Sequence, residues 1–216
     1  SKIRFSFSIG PEYFPEIAKL RAARLLWAAV MKSFCPGTPD LPGMEIHSVT
    51  GELNKSLSDQ HMNMLRTQTE AMSAVLGGAD SVTVGPSDLL FRKPDEFSER
   101  IARNQQLILR EEAYFGKVAD PAAGSYYIEK LTYLFAERAW KLFLDMEKEG
   151  GFLACLSKGM IHSMIRDSAE KISERITGKL LVFPDLKDDL QIIKVNRPVF
   201  SVNGPADLKP GKTPAS

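Results

Sequence analysis

The distribution of apolar and polar residues first predicts a strand and then a helix. Residues 3–9 alternate between the two kinds, and this period of two is typical of a β-strand with one buried face. Gly10-Pro11 interrupts the alternation. Over residues 12–34, apolar side chains recur every three or four positions, which is the period of an amphipathic helix. The predicted buried side of this helix consists of Ile17, Leu20, Trp27, Val30, Met31 and Phe34.

The strand–helix unit occurs twice more. Residues 44–49 form the second predicted strand, and a helix with Asp59 as its N-cap ends at Gly77-Gly78. Residues 81–84 form the third strand, and the third helix covers residues 95–112. The predicted inward residues of these two helices are Leu65, Thr69, Met72 and Leu76 in the first and Phe97, Ile101 and Ile108 in the second. Successive units of this kind predict parallel strands joined by helical crossovers, so the fold class is α/β.

Helices alone follow the loop at residues 120–125. A long amphipathic helix is predicted over residues 126–148 and another over residues 159–176. The inward residues of the long helix are Leu131, Leu134, Phe135, Leu142 and Met146. Residues 177–216 hold short apolar pieces among prolines, and their last part, 203–216, is predicted to be a tail or linker.

Three parallel strands make an incomplete sheet. Both outer strands would have unpaired backbone groups, and the faces would be poorly covered. Such sets of strands are usually completed to five or more in an open sheet or to eight in a closed barrel. We therefore expect the chain to be part of a larger domain or to complete its fold against another chain, and we expect the fragment alone to self-associate or to be marginally stable.

Composition narrows the class of protein. With 28 Lys and Arg against 27 Asp and Glu, the net charge is +1, and the basic footprint of a nucleic-acid-binding protein is not present. No apolar stretch approaches the roughly 20 residues that a membrane-spanning helix needs. Two cysteines, Cys35 and Cys155, make no disulfide framework or metal cage and fit a reducing, cytoplasmic compartment.

His47 and Ser81 are the candidate site residues. His47 is predicted near the C-terminal end of the second strand, where parallel α/β folds bind ligands, although a structural histidine is the commoner case. Ser81 opens the third strand, and an ordinary turn serine is the favoured interpretation. His61 and His162 fall in predicted helices and are expected at the surface.

Standard catalytic and cofactor motifs do not occur. The sequence has no Gly-x-x-x-x-Gly-Lys phosphate loop, no Gly-x-Gly-x-x-Gly, no Cys-x-x-Cys and no Gly-x-Ser-x-Gly. The loop Asp120-Pro-Ala-Ala-Gly-Ser125 could bring backbone close to a ligand through its glycine, but a turn that leads into the next helix is favoured. Glu111-Glu112 is expected on a solvated face, because adjacent helical residues do not face each other.

Five runs of sequence together resemble the barrel half of the methylmalonyl-CoA mutases, in the family's order and nearly its spacing. They are Glu16-Ile-Ala-Lys-Leu-Arg-Ala-Ala-Arg-Leu-Leu-Trp27, Arg66-Thr67 with Glu70-Ala-Met72, Gly77-Gly78, residues 97–108, and residues 120–129 with Leu131-Thr132. The resemblance implies a (β/α)8 TIM barrel, of which residues 1–176 would be about the last three strand–helix units with the helices that follow. Residues 177–216 would be an extended segment or linker leading toward a degenerate domain of the cobalamin-binding type, which this sequence does not include.

The same resemblance shows where the sequence departs from catalytic members. Those proteins bind an acyl-CoA along the barrel axis and use adenosylcobalamin to interconvert methylmalonyl-CoA and succinyl-CoA through a radical. Where they read Arg-x-His-Ser/Cys-Gln-Thr on a strand, this chain keeps His47 and Thr50 but has Glu45 for the arginine and Val49 for the glutamine. Four further positions have lost the family's lysine, asparagine, glutamate and tryptophan, namely Asp40, Gly85, Leu89 and Ala122.

These losses fall where a barrel keeps its chemistry, whereas the runs that pack helices persist. The Arg-to-Glu exchange at position 45 would also repel an anionic CoA. The resemblance therefore implies the small, non-catalytic β subunit of a heterodimeric mutase, which supports the large subunit in the adenosylcobalamin-dependent holoenzyme. On this interpretation the chain has no catalytic, cofactor-binding or metal-binding residues of its own, and His47 and Ser81 are vestigial substrate-binding residues.

Two other functions stay open at this point. One is a divergent catalytic acyl-CoA mutase with a rebuilt acyl pocket, in which His47 and Ser81 still contact the substrate. The other is a cobalamin-independent binding module that recruits a chaperone or a CoA-processing partner.

Overall fold

The computed structural model describes residues 3–37, 43–56, 60–90 and 92–182. The elements in chain order are β1 (Arg4–Ile9), α1 (Tyr13–Phe34), β2 (Glu45–Thr50), α2 (Gln60–Leu76), β3 (Ser81–Thr83), α3 (Glu96–Glu111), a short 3-10 helix (Phe115–Lys117), α4 (Tyr126–Lys148), α5 (Phe152–Ser157) and α6 (Met160–Val182). The chain divides into two units, residues 1–169 and 170–216, and of the second unit only the C-terminal part of α6 belongs to the described residues.

The strands form one parallel sheet in the order β1-β2-β3. Arg4 lies opposite Glu45 in the first pair of strands, and His47 lies opposite Ser81 in the second. Alternate side chains of β2, such as Ile46, are buried, while those between them are only partly covered and lie on the open face of the sheet. Parallel strands with α1 and α2 as crossovers confirm the predicted α/β class, whereas the TIM barrel stays a prediction.

The core behind the sheet comes from aliphatic side chains of the strands and of α1 and α2. Its buried members are Ile9, Leu20, Met44, Ile46 and Ala74. Arg24 fixes α1 to the loops that precede the strands, because its guanidinium donates to the Met44 carbonyl at 2.7 Å and pairs with the Asp80 carboxylate at 2.7 Å. The same Asp80 oxygen accepts the Ile46 N–H at 2.7 Å. These bonds fix the N-terminal ends of β2 and β3.

The inward faces predicted for α2 and α3 are correct only in part: Met72 and Leu76 of α2 are half-buried and pack against the core clusters. Leu65 is 61% exposed, and Phe97 and Ile108 are 52% and 44% exposed. The buried residues of α3 are instead Ser98, Ala102, Gln105 and Leu109, and those of α2 include Asn63, Thr67, Glu70, Ala71 and Ala74. The reason is a hydrogen-bonded contact between the helices, in which the Gln105 amide lies 3.2 Å from the Thr67 hydroxyl. Polar groups that are hydrogen-bonded to each other can be buried at little cost in free energy. A prediction from the spacing of apolar residues does not detect them.

Helix α4 packs on α1 through its N-terminal half. Ile128 and Thr132 are its buried residues, and Ile128 shares a cluster with Ile17 and Ala122. Leu142 was predicted to point inward but is 40% exposed, because the buried positions of α4 end before it. Helix α5, which the sequence pattern does not predict, follows Gly151 and buries Cys155.

Most element boundaries agree with the sequence-based prediction to within one or two residues. Helix α4 agrees at both ends, and α3 begins after Asp95, whose side chain accepts the Ser98 N–H in a capping box. The last helix runs to Val182 rather than to residue 176. The predicted N-cap Asp59, the departure at Asp40 and the linker from residue 183 onward lie outside the described residues. Within the described part of the chain, no helix could cross a membrane.

Candidate functional site

His47 and Ser81, the two residues predicted for the site, lie side by side on the open face of the sheet. The strand register places them opposite each other, and His47 Nδ1 is 2.8 Å from the Ser81 hydroxyl. The other ring nitrogen, Nε2, is 3.3 Å from the Thr83 hydroxyl. Both nitrogens of the imidazole therefore have a partner on β3. Thr83 was not predicted, although its place two residues after Ser81 puts it on the same face of the strand.

His47 was predicted near the C-terminal end of its strand, but it lies in the middle of β2. It is the third of six residues in β2 and is only partly covered. Thr50 occupies the C-terminal end, where its hydroxyl accepts the Gly85 N–H at 2.9 Å and so ties β2 to the residues after β3. Around the imidazole, the open face offers the hydroxyls of Ser81 and Thr83, whereas Thr50 is buried on the other face.

The acidic residue Glu45 is paired on the same face. Its carboxylate lies 2.6 Å from the Arg4 guanidinium on the neighbouring strand, and both side chains are substantially exposed. Because Arg4 balances the charge, Glu45 does not present an isolated carboxylate to an anionic ligand, and the expected repulsion is correspondingly weaker. The local sum of charge at Arg4 and Glu45 is near neutral.

A buried ion pair holds the loop after β2. Lys55 Nζ lies 2.6 and 2.7 Å from the two Glu70 oxygens, and Asn54 donates to the same carboxylate at 2.7 Å. The side chains of Lys55 and Glu70 are 8% and 1% exposed. Burial raises the pKa of Glu70 against the opposing bonds from Lys55 and Asn54, and burial lowers the pKa of Lys55. This polar cluster was not predicted, since its members are far apart in sequence.

The loop after β3 carries a second buried carboxylate. Asp88 is fully buried, and one of its oxygens accepts from Arg92 Nε at 2.8 Å. Burial alone would raise the pKa of Asp88, but hydrogen bonds from Arg92 and Ser98 outweigh it and hold the pKa below the usual range. The next residue, Leu89, is 44% exposed. The loop thus exposes an apolar side chain and keeps its charge inside.

The loop at residues 120–125 is a turn that leads into α4, as favoured from the sequence. Arg21 pairs with Asp120 at 3.1 Å and with Glu129 at 2.7 Å. Glu129 also accepts the Gly124 N–H at 3.2 Å, and Ala122 is buried in the α1–α4 contact. These contacts are with α1 and α4, so they give the loop a structural role.

The remaining candidates are where the sequence analysis put them. His61 on α2 and His162 on α6 are exposed, and so are Glu111 and Glu112. Among the described residues there is no group of three or more His, Cys, Asp or Glu side chains that could hold a metal ion.

The described residues thus form a parallel α/β sheet with two hydroxyls and one imidazole close together on its open face. Comparison with known proteins identifies the family. Residues 1–183 match the sequence profile of the family described as methylmalonyl-CoA mutase. The chain belongs to this family.

Relatives named as both subunits of the enzyme are similar to this chain. The methylmalonyl-CoA mutase small subunit of Porphyromonas gingivalis is 47% identical over 85% of this chain and 30% of its own length. A methylmalonyl-CoA mutase of Cereibacter sphaeroides is 44% identical over 79% of this chain and 24% of its own length. The large subunit of P. gingivalis is 38% identical over 81% of this chain and 24% of its own length. The chain therefore spans less than a third of the length of these relatives.

Proposed function

We propose that this chain is part of the small subunit of a methylmalonyl-CoA mutase and supports a large catalytic subunit without catalysing the reaction itself. The observation that carries the proposal is the His47 imidazole, whose two ring nitrogens are both engaged by hydroxyls of β3. In P. gingivalis, where both subunits are known by name, the small one is 47% and the large one 38% identical to this chain. His47 and Ser81 remain as vestigial substrate-binding residues in this proposal.

The proposal includes a barrel that other parts of the polypeptide complete. Within the described residues, β1 and β3 each have a single neighbouring strand. A cavity of about 350 Å³ lies beside β3, lined by β3 residues Ser81 and Val82 and by Val75 of α2 and Leu109 of α3. An additional strand at this edge would pair with β3 and fill the cavity. Residues 1–176 would be the C-terminal part of the barrel, and residues 177–216 the linker to a further domain.

Adenosylcobalamin would serve the holoenzyme but does not fit the described residues of this chain. In this family a histidine would hold the cofactor, whereas His47 is held by Ser81 and Thr83, and His61 and His162 lie exposed on helices. The proposal therefore places the cofactor on other parts of the heterodimer. A cytoplasmic location completes it, and the free thiols of Cys35 and Cys155 suit that reducing compartment.

Ligand titration of the full-length subunit tests the proposal. Calorimetric titration with methylmalonyl-CoA and, separately, with adenosylcobalamin is expected to show no binding at micromolar concentrations. Tight binding of both would contradict a purely supporting role. Turnover by the subunit with added cofactor and no large subunit would establish the divergent catalytic mutase instead.

A further inference from the structure

The contact between Ser81 and His47 has the geometry of a nucleophile and its base. The Ser81 hydroxyl oxygen lies 2.8 Å from His47 Nδ1, within the range of about 2.6–3.2 Å that an activated serine keeps to its base. The Thr83 hydroxyl lies farther from the other ring nitrogen, at 3.3 Å. The shorter contact favours Ser81 as the donor to an unprotonated Nδ1, with the Nε2–H donating to Thr83. The imidazole thus has a hydroxyl to activate and a second group that orients the ring.

The Ser81 hydroxyl is accessible from the open face of the sheet. Ser81 and Thr83 are exposed, and His47 is only partly covered. The strand register places Ser6 of β1 on the other side of His47, so the residues that flank the imidazole across the sheet have short side chains. A small reagent that approaches from this face can therefore reach the Ser81 oxygen while His47 stays bonded to it.

The charges near this pair cancel, which decides the class of reagent. Apart from His47, the charged or titratable residues of the three strands are Arg4 and Glu45. They lie on the same face, two residues before Ser6 and His47, and their side chains are 2.6 Å apart. Because each balances the other, the strands offer no free charge to hold an ionic group beside Ser81. The site suits short, uncharged acyl esters.

We propose that Ser81 is an acylation site for such esters, with His47 as general base and Thr83 as a positioning residue. The Ser81 oxygen forms a new ester bond to the acyl carbon, and its proton passes to His47 Nδ1. The bond from the acyl carbon to the leaving oxygen breaks, and the imidazolium returns the proton to that oxygen. Because Thr83 is uncharged, unlike the carboxylate of a complete triad, acylation and the later hydrolysis by water are both slow, and the acylated serine accumulates. This activity does not depend on the mutase function.

Acetylation of the full-length subunit by p-nitrophenyl acetate tests this proposal. Absorbance should show a burst of about one equivalent of p-nitrophenol, because the acetylated serine accumulates. Peptide mapping by mass spectrometry should place the acetyl group on Ser81, and Ser81→Ala should abolish the burst. Ser8→Ala, which removes another exposed hydroxyl from the open face of β1, should leave the burst rate unchanged.

Two further positions separate the chemistry from folding. His47→Gln keeps an amide that can hydrogen-bond to the hydroxyls but cannot act as the base, so the burst rate should fall about hundredfold while the melting temperature stays near that of the parent. Thr83→Val should slow the burst about tenfold, and Thr83→Ser should restore it, since serine keeps the hydroxyl. Acetyl groups found on lysines and not on Ser81, or a folded His47→Gln variant that is acetylated at the parent rate, would overturn the proposal.

Discussion

The buried ion pair of Lys55 and Glu70 shows how charged residues stabilise the fold of this chain. Lys55 and Glu70 are almost completely buried and bonded to each other. We expect Lys55→Met to lower the free energy of unfolding by about 3–5 kcal/mol, because it leaves the Glu70 carboxylate buried with Asn54 as its remaining side-chain donor. The double variant Lys55→Met/Glu70→Met should lose much less, because it removes both charges. Urea denaturation of the single and double variants measures both effects.

A control for this cycle is the exposed pair of Lys158 and Glu149. Their side chains are 55% and 53% exposed and 3.0 Å apart. Lys158→Met should therefore change stability by less than about 1 kcal/mol. A double variant at 55 and 70 that is less stable than Lys55→Met would contradict the interpretation of this cluster as a compensated pair.

The pH dependence of Lys55→Met follows from the raised pKa of Glu70. Burial raises this pKa already in the intact chain, and loss of the lysine removes the main opposing interaction. The folded variant then binds a proton at pH values where the unfolded chain, with a carboxyl pKa of about 4.3, has released it. Stability should thus fall as pH rises from about 5 to 8. Thermal melts of the Lys55→Met variant across this pH range measure the change in stability. A variant that becomes more stable toward pH 8 would contradict the predicted direction.

At the scale of elements, the start of α3 depends on one capping residue. Asp95 accepts the Ser98 N–H at 2.8 Å, and the Ser98 hydroxyl approaches the Asp95 N–H at 3.1 Å in return. Asp95→Ala should cost about 0.5–2 kcal/mol, because it leaves a helix N–H without its partner. Asp95→Asn is the matched control, since it keeps the acceptor while removing the charge pair with Arg92. Chemical denaturation should find the asparagine variant close to the parent, and equal losses in both would show that charge outweighs capping.

The helices and strands also show how much of the fold the sequence predicts. The positions of glycine and proline, together with local periodicity, predicted the three strands and five of the six helices described. These signals suffice because they act within a few residues. Helix α5, which is six residues long, was missed because so short a segment has no measurable period. The buried faces of α2 and α3 were predicted only in part, since asparagine, threonine and glutamine occupy positions of the contact that an apolar pattern does not mark.

For the whole molecule, the incomplete sheet leads to a prediction about association. Two strand edges without a second neighbour among the described residues should make the isolated chain associate or melt at low temperature. We expect its melting temperature to rise with protein concentration and sedimentation to show species larger than the monomer. A sharp melt that does not depend on concentration would contradict the prediction.

By itself, the sequence determined the order and type of most elements and identified His47 and Ser81 as separate candidates. Only the tertiary structure decided that these two side chains touch, that Thr83 joins them and that Arg4 neutralises Glu45. The physical reason is the distance along the sequence over which each kind of interaction acts. Helical and strand periods are written within a few consecutive residues, whereas the partner of a polar group can lie anywhere along the chain: Arg4 and Glu45 are 41 residues apart, and Thr67 and Gln105 are 38 apart.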